Sequence, residues 1–471
     1  MSTHNTNAQH TNPPTMKAQK GSIGVVGAAA IGVGGMMGAG LYTLVGLASA
    51  SAGARLPLSF FIGGIVAAFS VYSYSKLGMK FPSRGGAAQF LVQGFGNGLV
   101  AGGMNIFQYF GWIIAIALYA AGFSDYAKVL FGLHDTPWVA KAIGVGIIAV
   151  AVIINIFGSK LVARTQTTII AVELIILVVF VAVGLTHVKA SAFSDTMAKD
   201  SGASLLRVLS AAGLLYVTYE GFGVVTNAAG SMAHPAKQLP RAMYLALGVV
   251  MVVYMASSVV VIGSIGASGA EAAEGHALAD AGRAVMGSIG FTAIGVAALV
   301  ATASAVNSTM FGDENLGMRI ADVNEIPPSF RTPTRIGGNR GIFATALFAA
   351  LFVDIFPLSA VGQLASLAFL LVYATVNLGH LRLVRETGAK RWILVASVVL
   401  NLVLFVLLFS QTILHGEVLT WVALVVLFVA SFAAEWWWRG RTGQDRSWIS
   451  RQVEPAEAGP AGSVGSAEPR A

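Results

Sequence analysis

The sequence predicts an all-α membrane protein with twelve transmembrane helices. Three observations predict it. Apolar residues make up 56% of the 471 and charged residues only 11%, whereas a soluble domain carries roughly 25% charged residues. Mean hydropathy is +0.74. The few charges lie between apolar runs long enough to cross a hydrocarbon layer, which takes about 20 residues for about 30 Å. Glycine is abundant, at 55 residues. Membrane helices accept it because small residues let helices approach closely.

The elements follow from the charge-free runs. No charge lies between Lys20 and Arg55, between Arg55 and Lys76, or from Gly85 to Ser124. The last run suits one strongly tilted helix with uncharged extensions. Spans are expected near 22–48, 57–79, 96–124, 138–158, 165–186, 206–232, 242–266, 288–316, 340–356, 358–382, 392–413 and 417–437. With both termini in the cytoplasm, 22 of the 29 Lys and Arg fall on the inner side and 7 on the outer side. This obeys the positive-inside rule. It also favours an even span count, because an odd one places Arg439, Arg441, Arg446 and Arg451 outside. The expected location is the cytoplasmic (inner) membrane.

Residues 1–19 and 439–471 are polar or small and lack periodicity, so both are expected to be disordered cytoplasmic tails flanking a transporter domain at 20–438. Met1–Lys20 has no apolar h-region, which argues against a cleaved signal peptide. Trp436, Trp437 and Trp438 before Arg439 and Arg441 form an expected interfacial anchor.

Several function classes drop out. The chain has no cysteine, which excludes a disulfide-linked subunit, a thiolate metal site and a thiol nucleophile. Its eight His form no pair on one helix face, so neither a metal nor another cofactor is expected. Basic residues do not cluster with aromatics, so no nucleic-acid partner is expected. There is no Gly-x-x-x-x-Gly-Lys-Ser/Thr run to bind a nucleotide. No nucleophile–base pair marks an enzyme, and no charged ring or filter-like repeat marks a channel.

Two spans carry glycines where a helix should be continuous. The first contains Gly32-Val33-Gly34-Gly35-Met36-Met37-Gly38-Ala39-Gly40, and each glycine costs a helix about 1 kcal/mol relative to alanine. Gly34 and Gly38 also fit a G-x-x-x-G packing face. The sixth contains Tyr219-Glu220-Gly221-Phe222-Gly223. Paired interruptions in corresponding spans of two halves point to a transporter binding site. Half-helix N-termini there offer amides to a carboxylate, and unwound carbonyls suit an ammonium group. One site holding both charges suits an amino acid.

At these residues the chain resembles the amino acid–polyamine–organocation transporter superfamily, over about 20–435. Ile31–Gly40 is similar to that family's first-helix Gly-Ala-Gly motif. Tyr72–Ala87 is similar to its second-helix ending and Phe-Pro-x-x-Gly-Gly loop. Asn155–Lys160 through Gln166 resembles the segment before helix five. Gly221-Phe222 with His234-Pro235 and Leu239-Pro240-Arg241-Ala242 resembles the sixth-helix signature and its exit. The resemblance implies a five-plus-five inverted repeat with discontinuous helices one and six and two further C-terminal helices. Repeat one then covers about 20–187, repeat two about 205–385, and the extra helices about 391–438. It also implies alternating access around helices one, six, three, eight and ten, with an amino acid or related amine as cargo. Three positions depart from the pattern: Gly223 where an acid is common, Ala229-Gly230-Ser231 for Ala-Glu-Glu, and Phe311–Asn315 at the eighth-helix exit.

Only two acids are read as falling inside spans, Glu173 in helix five and Glu220 at the second break. Such acids are costly and need a polar site. The resemblance aligns Glu173 with a lysine that replaces bound sodium in some sodium-independent members. Glu173 can hold a proton, ligate sodium with Ser304, Ser308 or Thr309, or serve as a neutral structural acid. Glu220 can contact a substrate ammonium or satisfy unwound amides. The expected substrate site comprises Met37, Gly38, Ala39, Gly40, Tyr219, Glu220, Gly221, Phe222, Gln108 and Asn307. Asn105, Tyr373 and Asn377 are weaker candidates. The expected activity is amino acid transport, proton-coupled uptake being preferred over ion-independent exchange and sodium symport. Small apolar walls favour a neutral amino acid over a diamine.

Overall fold

A computed structural model describes residues 23–450 except 39, 83–85, 134–135, 158, 190, 194–203 and 336. Charge-poor runs fold as helices because hydrocarbon offers no hydrogen-bond partner, so backbone groups must satisfy one another. The helices in chain order are α1 (Val25–Met36), α2 (Gly40–Ala52), α3 (Leu56–Lys80), α4 (Gly86–Phe95), α5 (Leu99–Phe131), α6 (Pro137–Phe157) and α7 (Ser159–Leu185). There follow α8 (Ser204–Leu215), α9 (Pro235–Ala272), α10 (Ala277–Asp322), α11 (Arg340–Ile355), α12 (Leu358–His380), α13 (Val384–Thr387), α14 (Arg391–Leu414) and α15 (Val418–Thr442). Ten helical stretches among the described residues are long and apolar enough to cross a membrane; Gly40–Lys80, one of them, holds both α2 and α3. Val25–Met36 is apolar but shorter, and the 16 residues of α11 reach only about 24 Å.

Two expectations change. The span expected near 96–124 is α5, but the uncharged extension before it is a separate helix. α4 ends at Phe95, and α5 starts afresh at Leu99 after Gly96 turns into positive φ (+72°). The C-terminal tail is also folded as far as Ser450, twelve residues beyond the expected boundary at 438. Its Ser447 and Trp448 carbonyls accept from the Leu99 and Val100 amides of α5 at 3.0 and 3.1 Å. Those first amides have no acceptor within their own helix. Trp436 and Trp437 face outward, with Arg446 and Arg441 over their rings at 4.2 and 4.6 Å. Trp438 does not join them, because its Nε1 donates to the Asn324 carbonyl at 3.0 Å.

Small residues set the helix spacing. Gly94 of α4 meets Gly379 of α12 backbone to backbone, and Gly103 of α5 receives the Phe432 ring of α15. Val178, Val179, Val406, Val426 and Val429 are exposed, as suits a surface solvated by acyl chains rather than water.

Gly94→Val should force α4 and α12 apart, since its Cβ would lie 2.7 Å from the Gly379 Cα. The expected outcome is a thermal unfolding midpoint in detergent several degrees lower, from about 1–3 kcal/mol of overpacking. Gly248→Ala, where nothing lies within 4 Å of the added carbon, should leave the midpoint where it is.

Candidate functional site

The first break lies between α1 and α2. Regular helix ends at Met36, and the Met37 amide closes the last turn on the Val33 carbonyl at 2.7 Å. Gly38 bends away, and Gly40 opens α2. Ala39 lies outside the described residues. The second break follows α8. Tyr216–Tyr219 continue as a 3-10 turn, Glu220 is extended (φ −59°, ψ 144°), and Gly221 takes φ +111° before a second 3-10 stretch, Phe222–Ser231. Only glycine adopts that φ without steric cost.

The two breaks touch. A Cβ on Gly221 would lie 2.3 Å from the Gly35 carbonyl oxygen, and one on Gly40 would lie 3.0 Å from the Thr218 Cα. The buried Tyr254 hydroxyl of α9 lies 2.6 Å from the Met36 carbonyl and 3.2 Å from that of Thr218. One phenol thus serves a freed carbonyl from each interruption. Nothing in the local sequence around Tyr254 marks this role.

A small cavity adjoins this contact, lined by Gly34, Gly35, Gly38, Tyr119, Ile169, Ile170, Glu173, Ala301, Ser304, Ala305, Ser308 and Thr309. It has room for about one water molecule and is too small for an amino acid. All four residues expected to couple an ion, Glu173, Ser304, Ser308 and Thr309, line it. Glu173 Oε1 is buried with no hydrogen-bond partner among the described residues. The buried Tyr42 turns its hydroxyl toward the Glu173 carboxyl, and Tyr254 is a further electrostatic neighbour. A carboxyl facing hydroxyls in so small a space can hold a proton or a small cation.

Glu220 belongs to an adjoining constellation. It is buried, and the Tyr373 hydroxyl of α12 donates to its Oε1 at 3.4 Å. Phe222 stacks on Tyr373 at 5.0 Å, and Tyr74 of α3 meets both rings edge-on or tilted at 5.3 and 5.2 Å. Tyr216 lies 5.8 Å from Tyr373. Tyr119, on the cavity wall, is an electrostatic neighbour of Glu220 and so links the two constellations.

Other expected site residues lie elsewhere. The Tyr219 hydroxyl donates to the Phe60 carbonyl of α3 at 2.7 Å, so it secures the break from behind. Asn307 Oδ1 accepts from Asn155 of α6 at 2.9 Å, on the face of α10 turned away from the cavity. Met37 is buried but absent from the cavity wall. Gln108 shares the α5 face of Tyr119 but lies about three turns away; its Oε1 is buried and unpartnered among the described residues. Asn105 donates to Glu325 Oε2 at 2.8 Å, and Asn377 donates to Ser397 at 2.8 Å. Further acids lie within helices besides Glu173 and Glu220. Asp313 accepts from Thr345 at 2.7 Å, Glu314 accepts from Asn339, and Glu435 pairs with Arg439.

A family model described as amino acid permease matches residues 23–436. The chain is 30% identical over 405 residues to protein MJ0609 of Methanocaldococcus jannaschii, covering 85% of this chain and 92% of that one. It is 29% identical over 404 residues to the inner membrane transport protein YbaT of Escherichia coli, covering 85% and 93%. Among solved structures, a mutant of the manganese transporter of Eremococcus coleocola superposes with a TM-score of 0.54 at 12% identity, over 88% of this chain and 94% of that one. That likeness is one of fold.

Tyr254→Phe removes the donor shared by the Met36 and Thr218 carbonyls. Leaving a buried carbonyl unpaired costs about 1–3 kcal/mol, so the variant should unfold at a lower temperature than the parent in the same detergent.

Proposed function

The chain belongs to the amino acid permease family, and from that premise we propose that it carries an amino acid across the membrane by alternating access, together with a proton held at Glu173. The supporting observation is that the first interruption, packed against the second at Gly35 and Gly221, lines a cavity whose one carboxylate, Glu173, has an unpartnered buried oxygen. The α2 N-terminus offers amides to a cargo carboxylate. Glu220 offers a negative charge to its ammonium. Gln108, Asn307, Tyr219 and Met37 then act around the path or behind the breaks rather than on the cavity wall.

The same reading assigns the topology. The ten long apolar stretches, with α2 and α3 counted separately and α11 as a short crossing, make twelve spans in which α1 and α2 share the first. Repeat one runs to about 187, repeat two from about 205 to 385, and α14 and α15 are the two extra helices. Both termini face the cytoplasm, on the strength of the Lys and Arg asymmetry. An inner-membrane location agrees with the name of the Escherichia coli relative.

A second reading has one observation in its favour. Ser304, Ser308 and Thr309 line the cavity beside Glu173, and hydroxyl and carboxylate oxygens are hard ligands that suit sodium.

The test is uptake of labelled amino acids into proteoliposomes under an imposed pH or sodium gradient. The pH gradient should drive accumulation in the parent. Glu173→Gln should abolish that accumulation while cargo-for-cargo exchange persists. Accumulation by Glu173→Gln on a pH gradient would overturn the coupling role, and accumulation on sodium alone would favour the second reading. Exchange in the parent with no response to either gradient would make the protein an exchanger. Glu220→Gln should raise the half-saturating cargo concentration at least about tenfold, the loss of one charge-assisted hydrogen bond. An unchanged value would remove Glu220 from the site.

A further inference from the structure

We propose that Glu325 and Glu435 form a proton-holding latch that fastens the segment Arg439–Ser450 across the ends of α5 and α10, on the face of the bundle that carries the C-terminus. The inference goes beyond the transport reading and does not depend on which cargo or ion is moved.

The fastening is built from specific contacts. Arg439 is 1% exposed. Its Nε donates to Glu435 Oε1 at 2.5 Å, its Nη1 to the Asn97 and Asp445 carbonyls at 3.2 and 3.0 Å, and its Nη2 to Asn97 Oδ1 at 2.7 Å. Ser447 and Trp448 cap α5 through the Leu99 and Val100 amides. Gln444 Nε2 and Trp438 Nε1 donate to the Asn324 carbonyl, just past the end of α10. The approach requires glycine on the α5 side, since a Cβ on Gly96 would lie 2.0 Å from the Ser450 carbonyl oxygen.

At the centre sit two buried carboxyls. Glu325 follows α10 and accepts from Asn105 of α5 at 2.8 Å. Glu435 of α15 lies over Gly102, three residues before Asn105 and therefore on the same face of α5. The cations acting on Glu325 are Arg439, already bonded to Glu435, and Arg319, which donates to Gln89 of α4 at 2.8 Å. Asp445 directs its carboxylate at Ser447. Three acceptor oxygens, Glu325 Oε1, Glu435 Oε2 and Asn105 Oδ1, are buried without a donor among the described residues. A proton on one carboxyl supplies a missing donor and removes the repulsion between two like charges. Burial first, and then the charge of Glu435, push Glu325 above the ordinary carboxyl range.

The sign follows. A raised carboxyl stabilises the closed latch while it is protonated, and that stabilisation is lost as pH on this face rises through the raised value. The helices so tied carry the cavity walls: Tyr119 on α5, and Ser304, Ser308 and Thr309 on α10. Latching fixes their ends to each other, and release frees them.

The chain has no cysteine, so spin labels can be placed at Ile449→Cys and Ser329→Cys, both exposed, on the full chain in nanodiscs. The expected result is one narrow distance distribution at pH 6 and an added, broader one at pH 9. Glu325→Gln, which mimics the protonated acid, should keep the narrow distribution at both. Gly96→Val should give the released distribution at both. Identical distributions at pH 6 and pH 9 in the doubly labelled parent would overturn the proposal without recourse to the Glu325 variant. So would a folded Glu325→Gln that shifts as the parent does.

Discussion

Backbone that leaves the helix inside hydrocarbon must find its hydrogen bonds elsewhere, and this requirement organises the molecule. The interruptions after Met36 and at Glu220–Gly221 solve it together. They press backbone on backbone at Gly35 and Gly221, and Tyr254 reaches a carbonyl of each. A break supported by protein is tolerated at membrane depth where a lipid-exposed one is not. The support recruits further elements, because Tyr219, packed at 5.5 Å against Tyr254, ties the second break to α3 through the Phe60 carbonyl. The two breaks therefore behave as one packed unit with α3 and α9.

That unit decides where acids can stand. Glu173 faces the cavity beside Gly34, Gly35 and Gly38, and Glu220 faces the rings of Tyr373 and Phe222, with Tyr119 in reach of both constellations. A charge enclosed by rings and glycines lacks the solvation it has in water, so each carboxyl must gain a cation or a proton whenever the site is closed. The same logic recurs at Glu325 and Glu435, where the nearest arginine, Arg439, is already bonded to Glu435 and Arg319 is engaged with Gln89. Carboxyls left short of a cation within low dielectric make proton uptake and packing a single event.

Much of this was legible in the sequence because it depends on one-dimensional signals. Gaps between charges mark the helices, and glycine clusters mark the breaks. The spacing of Ser304 and Ser308 puts both on one helical face, and the structure turns that face to Glu173. What escaped depends on helix rotation and long-range partners. Asn307 sits between cavity-lining residues in sequence yet points to Asn155, since a membrane helix that is apolar toward lipid (Val296, Val300) as well as toward its packed side carries no hydrophobic stripe to fix its phase. Tyr254 meets Met36 across 218 residues, a pairing no local pattern encodes. Asp313 and Glu435 were overlooked as intramembrane acids because each falls beside polar or charged residues at a span end, although both are fully buried. The tail to Ser450 reads as disordered by composition, but its order comes from main-chain carbonyls capping α5, and composition says nothing about carbonyls.

The closed arrangement also constrains how the proposed cycle can open. The cavity holds about one water, and the rings of Phe222, Tyr373 and Tyr74 pack within 5.0 to 5.3 Å of one another over Glu220. In the proposed cycle, admitting cargo separates α12, which carries Tyr373, from the second break and from α3, which carries Tyr74 and stays tied to that break through Tyr219. Separation would wet Glu220 and lower the cost of its charge, whereas closure restores that cost. On the proposed reading, an ammonium group arriving at Glu220 offsets the cost with a charge of its own, which favours closure with cargo aboard and opposes it for an empty, ionised site. Glu173 lies at the glycine contact rather than under the rings, so a proton held there, as proposed, would follow the movement of the breaks without being displaced by cargo. In the proposed cycle, alternation follows from where two carboxyls lose their water, with α12 moving against the packed unit of the two breaks, α3 and α9.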